Sequence, residues 1–226
     1  MKHLLTVILS LGLILGLSLL PELSQAQDNL KANSAGTYTA QMNFTPFSSQ
    51  PLSINRLQFR YFNDESTAYR LGVNLGYQSF EDDPDPNFEV SGGVFDISLI
   101  PGIEFHASGT NRFSPYYGAE AEITLRRVSA TERLNVGGSV TETEYSGAYN
   151  GNRGFMQFGA RALIGFDLYL VRNLYMGAEF GYGFLYHSDA DMVVRQGAQT
   201  SEQEGMGSYR LGTTYNPAIR LGWSFL

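Results

Sequence analysis

The chain has 226 residues, 43% apolar, 16% charged and 13% aromatic, which is enough apolar material to bury a core and too much for a disordered segment. Its 25 glycines and 14 tyrosines stand against 2 lysines and 1 tryptophan, a bias toward strands. The lack of cysteine excludes disulfides and thiolate metal sites, and a net charge of -7 with a pI near 4.9 excludes nucleic acid as the main partner, because phosphate binding needs a clustered basic surface.

Residues 1–26 read as a secretory signal peptide: a basic start at Lys2-His3, an apolar run from Leu4 to Leu20, and a polar stretch ending in small residues at Ser24 and Ala26. Residues 27–35 read as a short linker and 36–226 as one barrel domain. Beyond residue 26 no apolar run reaches the roughly 18 residues of a membrane helix. Any membrane crossing therefore falls to strands.

Apolar and polar residues alternate with a period of two in eight segments, the pattern of strands with two unlike faces. In chain order they run through Gly36 to Thr45, Asn55 to Phe62, Ser66 to Phe80, Phe95 to Phe105, Tyr117 to Leu125, Met156 to Leu168, Met176 to Phe184 and Tyr209 to Phe225. Pro101 suggests a bulge in the fourth. Short connections at Asn63 to Glu65 and Val171 to Asn173 alternate with long ones at 81–93, 127–154 and 187–208, and a short first loop around 45–53 completes the rhythm. Such strand lengths and loops predict an all-β protein, an eight-stranded antiparallel up-and-down transmembrane β-barrel with both termini on the side of the short turns.

The polar face carries Arg56, Arg60, Arg70, Arg126, Arg161, Arg210 and Arg220 against Asp96, Glu104, Glu120, Glu122, Asp167 and Glu179, interleaved with glycines. Near-neutrality with arginine as the cation predicts a lumen plugged by an ion-pair network, since unpaired buried charge is costly and the guanidinium fork bonds two carboxylates at once. The apolar face places aromatics near both strand ends, as membrane girdles do: Tyr38, Tyr61, Tyr69, Phe105, Tyr117, Phe166, Trp223 and Phe225 toward the short turns, and Phe44, Tyr77, Phe95, Phe158, Phe184 and Tyr186 toward the long loops.

With its leader, its eight amphipathic strands and the closing run Ala218-Ile219-Arg220-Leu221-Gly222-Trp223-Ser224-Phe225-Leu226, the chain resembles the OmpA/OmpX-type small outer-membrane β-barrels of Gram-negative bacteria, within the porin-like outer-membrane β-barrel family. Members usually end on an aromatic residue; here Phe225 is penultimate, while Leu221, Trp223 and Phe225 keep the phase. The resemblance implies integral residence in the bacterial outer membrane with periplasmic termini. It also implies insertion by the barrel assembly machinery and functions from adhesion and envelope anchoring to small pores and, rarely, lipid enzymes.

Candidate chemistry is sparse, and no catalytic, cofactor-binding or metal-binding residue is assigned. His187-Ser188-Asp189 contains the residue types of a hydrolase triad, but strand alternation turns Ser188 away from the other two. His106 reads as a turn residue, too far from His187 to share a metal. The run Glu81-Asp82-Asp83-Pro84-Asp85-Pro86-Asn87 reads as a solvated acidic loop, without the spaced ligands of a Ca²⁺ hand. The expected function is a non-enzymatic barrel whose long loops serve surface contact or envelope integrity. A small passive pore is the alternative and an outer-membrane lipid-modifying enzyme a third reading. Expected partners are outer-membrane lipid and lipopolysaccharide, the assembly machinery during insertion and a surface ligand of the loops; no cofactor is expected, and the protein is expected to be a monomer.

Overall fold

Strands with one apolar and one polar face bury the polar face here, not the apolar one. The computed structural model describes residues 34–44, 56–214 and 219–225. The expected signal peptide, most of the linker and the first loop around 45–53 lie outside the described residues. Among the described residues there are fourteen strands: β1 (Tyr38–Phe44), β2 (Leu57–Phe62), β3 (Thr67–Asp85), β4 (Phe88–His106), β5 (Phe113–Val136), β6 (Ser139–Ser146), β7 (Ala148–Tyr149), β8 (Asn152–Arg153), β9 (Phe155–Val171), β10 (Leu174–Asp189), β11 (Met192–Gln196), β12 (Gln199–Gln203), β13 (Gly207–Thr214) and β14 (Ile219–Phe225).

Eight staves make a closed ring. β1 through β5 pair in sequence, β5 pairs β9, β9 pairs β10, and β10 pairs β13 along its outer half and β14 along its inner half. β14 then pairs β1 from Tyr38 opposite Phe225 to Phe44 opposite Ile219, which closes the barrel with every pairing antiparallel. The protein is an all-β, eight-stranded antiparallel up-and-down transmembrane barrel, and closure removes the open edges that a lipid environment would leave unbonded.

The short turns are locally specified. Between β2 and β3 the Asp64 carboxylate accepts from the Ser66 amide at 2.8 Å, the Ser66 hydroxyl at 2.7 Å and the Thr67 amide at 2.9 Å. Between β4 and β5 the Thr110 hydroxyl accepts from the amides of Arg112 and Phe113. Asn173, in the tight turn between β9 and β10, adopts φ 72°, a left-handed conformation that asparagine tolerates better than most residues.

The long connections differ from expectation. Residues 81–93, 127–154 and 187–208 are largely strand: β3 and β4 stay paired out to Asp85 opposite Phe88, β5 turns back as β6, and β11 with β12 forms a hairpin. β11 also pairs β6, so the outer hairpins extend the barrel wall as one sheet in the order β12-β11-β6-β5. Pro101 makes no bulge. The bridges from β4 to β5 skip Ile100 and Pro101 and resume with Gly102 opposite Glu120 in the same register, because proline removes one donor without adding a residue. The irregularities fall instead between Asp82 and Asp85 and between Leu174 and Tyr175.

The exterior is apolar all round. Outward positions Tyr69 to Tyr77 on β3, Phe95 to Phe105 on β4, Phe113 to Leu125 on β5, Met156 to Leu170 on β9 and Met176 to Tyr186 on β10 include no charged residue; the first outward charges on β3, β4 and β5 are Glu81, Glu89 and Arg127, beyond the outer end of this belt. Exposed apolar surface on this scale meets lipid, not water.

Candidate functional site

The inward face is organised by cross-strand pairing of large side chains with glycines. Arg70 and Glu120 flank Gly102, Asp167 and Arg220 flank Gly177, Tyr175 lies opposite Gly222, and Tyr116 opposite Gly165. A Cβ at Gly102 would stand 2.9 Å from Arg70 Cγ and 2.8 Å from Glu120 Cβ, and one at Gly222 would enter the Tyr175 ring. Eight strands enclose little more than side chains, so each long residue occupies space its neighbour lacks.

At the short-turn end this packing makes a buried floor. Arg60 Nη1 donates to Glu104 at 2.9 Å and to Asp167 at 2.8 Å, and its Nε donates to the Thr39 hydroxyl at 3.1 Å. Its guanidinium lies 4.8 Å from the Tyr175 ring centroid. Arg70 reaches Glu104 at 2.8 Å, Glu179 at 2.7 Å, Glu120 at 3.0 Å and the Gln58 amide oxygen at 2.8 Å. Arg220 reaches Asp167 at 3.1 Å and Glu179 at 3.4 Å, over the Tyr116 ring at 5.0 Å. The Tyr116 hydroxyl donates to Glu179 at 2.7 Å and that of Tyr175 to Gln41 Oε1 at 3.0 Å. Charges this deep need partners, and the carboxylates here share arginines in a continuous web that leaves Arg60 Nη2, Arg70 Nε and Arg220 Nε buried without a hydrogen bond to a described residue.

Burial falls away toward the outer end. The Arg60 side chain is 0% exposed, Arg161 17% and Arg126 37%. In the middle layer Glu120 takes Arg56 at 3.3 Å and Arg161, which also approaches Glu122 at 3.6 Å. Higher, Arg126 pairs with Asp96 at 2.6 Å and covers Phe155 at 5.1 Å. The interior is therefore a cup, closed at the short turns and open toward the hairpins.

Of the polar-face residues singled out from sequence, these contacts bring together all but Arg210. Arg210 keeps the inward phase but is exposed and forms no ion pair with a described residue. It sits opposite Leu185 on β13, which among the described residues pairs with β10 alone. The outward aromatics form two rows. Phe225, Tyr38, Tyr61 and Tyr69 are successive cross-strand neighbours near the short turns, with Phe105 5.5 Å from Tyr117 and Phe166 5.4 Å from Phe113 in the same row. In the row toward the hairpins four members form two direct pairs, Tyr77 with Phe95 and Tyr186 with Phe158, and Phe184 is exposed beside them; Trp223, toward the short turns, is exposed on the same lipid-facing surface. The side chain of Phe44 lies outside the described residues.

No family model and no curated protein matches the chain. Among solved structures it is similar to CarO of Acinetobacter baumannii, with 13% identity over 88% of this chain and 99% of that one at a TM-score of 0.34. It is similar to CarO2 of the same organism, with 13% identity over 83% and 97% at 0.34, and to the outer membrane protease OmpT of Escherichia coli, with 8% identity over 85% and 94% at 0.24. Likeness at these scores assigns no residue and no activity.

Sequence reasoning missed the interior aromatics Phe62, Tyr116, Tyr169 and Tyr175, all nearly inaccessible. It also misplaced His106, which is no turn residue: it ends β4, buried, its Nδ1 2.9 Å from the Ser114 hydroxyl and its Nε2 3.2 Å from Glu104. The usable signal was the facing glycine, Gly222 for Tyr175 and Gly165 for Tyr116. At the outer end His187 Nε2 lies 3.1 Å from Asp189 Oδ1, and Ser188 between them belongs to the opposite strand face. Among the described residues no group of histidines and carboxylates is placed to hold a metal ion.

Proposed function

We propose that this chain is a non-enzymatic, monomeric integral barrel of the bacterial outer membrane whose plugged lumen blocks conduction and whose outer hairpins make surface contacts or support envelope integrity. The buried floor carries this reading: Arg60, Glu104 and Asp167 have no exposed side-chain surface, and their mutual bonds cross the lumen from β2 to β4 and β9. The outward apolar belt and its two aromatic rows fit an OmpA/OmpX-type setting in lipid and lipopolysaccharide, reached through the barrel assembly machinery. Short turns then face the periplasm with both ends of the described chain, since Tyr38 pairs with Phe225 beside them. The separation of Ser188 from His187 and Asp189 supports a non-enzymatic role.

The test is planar-bilayer conductance of the chain from Gln27, refolded in detergent. A folded and silent barrel is the expected result. Discrete ion-selective steps would overturn the plug and favour a small pore.

A further inference from the structure

Above the closed floor, the inner faces of the extended β3, β4 and β5 and the turn between β7 and β8 enclose a cleft of ≈ 780 Å³. One wall is aromatic. Phe80 and Tyr149 stack with centroids 5.7 Å apart and planes 7° off parallel, and Tyr145 meets Tyr149 edge-on at 5.0 Å. The Phe80 ring occupies the space over Gly92, its partner on β4, where a Cβ would run into Cζ. The other feature is charge: Asp82 and Glu132 are the inward-facing carboxylates of the cleft, and among its described lining residues there is no arginine, lysine or histidine. Glu132 accepts from the Tyr145 hydroxyl at 2.8 Å and the Tyr149 hydroxyl at 3.0 Å, which fixes the carboxylate without neutralising it. Arg133, in the adjoining recess, is turned to Glu89 at 3.8 Å and Glu142 at 3.9 Å.

We propose that this cleft binds a small organic cation with an alkylated, weakly hydrated ammonium head. Aromatic faces attract such a head through the ring quadrupole, and they compensate the lost hydration of an alkylated ammonium far better than that of a metal ion. Two inward carboxylates, with no cation among the described lining residues, supply the complementary field. A hard divalent ion is disfavoured by the same geometry, since the described residues offer no metal-holding group and two of the potential ligand oxygens are already occupied by tyrosine hydroxyls. The volume lies in the range of small-molecule sites. The inference rests on the reading that function sits on the outer hairpins, and goes beyond it by naming the ligand class.

The experiment is calorimetric titration of choline chloride into the full barrel, refolded in a maltoside detergent that carries no ammonium group. Saturable binding is expected, with the neutral carbon analogue 3,3-dimethylbutan-1-ol weaker by about tenfold or more because only the charge differs. Glu132→Gln and Tyr149→Leu are each expected to weaken choline by about tenfold, while Glu202→Gln, on exposed β12, leaves it unchanged. Glu132→Gln keeps the shape of the side chain, and heat-modifiable gel mobility confirms that each variant is folded. Absence of saturable binding, equal binding of the neutral analogue, or displacement of choline by equimolar magnesium would overturn the proposal. Conductance by the same barrel bears on the plug alone, so the two readings fail separately.

Discussion

Arg60 and Arg126 are the same residue in two surroundings. Arg60 holds two buried carboxylates, and Arg60→Met is expected to cost ~3–5 kcal/mol, the usual loss when one partner of a buried pair is removed. Arg126 and Asp96 pair at the half-open mouth, and Arg126→Met is expected to cost about 1 kcal/mol or less. Urea unfolding of the refolded barrels compares them, and equal losses would show that depth in the cup does not set the strength of its ion pairs. Asp64, in the β2–β3 turn, differs again. The bond from the Ser66 hydroxyl, with those from nearby amides, holds its carboxyl down at about 2 against an ordinary 3.8. A depressed carboxyl supports the turn in full above pH 3.8 and loses that support as pH falls through about 2. Carbon-13 titration of Asp64 should therefore show a midpoint near the lower value, and one at the ordinary value would mean that the turn bonds do not persist in solution.

The outer hairpins set the chemistry of whole elements. Burial, together with the hydrogen bond to Glu132, pushes the Tyr149 phenol up to about 12 from 10.0. The neutral phenol's support for the β7–β8 turn is present below pH 10.0 and fades as pH rises through about 12. Phenolate absorption should show Tyr149 ionising late, and Glu132→Gln should bring its midpoint back toward the ordinary value. Deleting residues 192–203, the β11–β12 hairpin, should speed amide exchange along β6 from Thr143 to Ser146, where pairing to β11 is lost, and leave β3 and β4 protected. These elements were illegible in the sequence for a physical reason. Ser139–Ser146 and Gln199–Gln203 are polar on both faces, so no alternation marks them as strands. The staves were legible because one face meets lipid and the other charge. Interior tyrosines escaped because Tyr116 stands beside Tyr117, and Tyr169 between Leu168 and Leu170, apolar runs in which parity disappears.

At the scale of the whole molecule, the ring joins the two ends of the chain, and its interior is tied by residues from the middle. Arg60 and Asp167 are 107 positions apart, and Arg70 and Glu179 are 109 apart. Tyr175 of β10 bonds Gln41 of β1 across the inside of the β1–β14 seam. Contacts of such separation form late, after the loops that connect them have closed. The buried floor is therefore a latch: the barrel cannot part along its seam while Tyr175 and Arg60 hold both sides. Unfolding is then expected to proceed as one slow step in which seam and floor are lost together, with the lifetime of the folded barrel set by the opening of that latch.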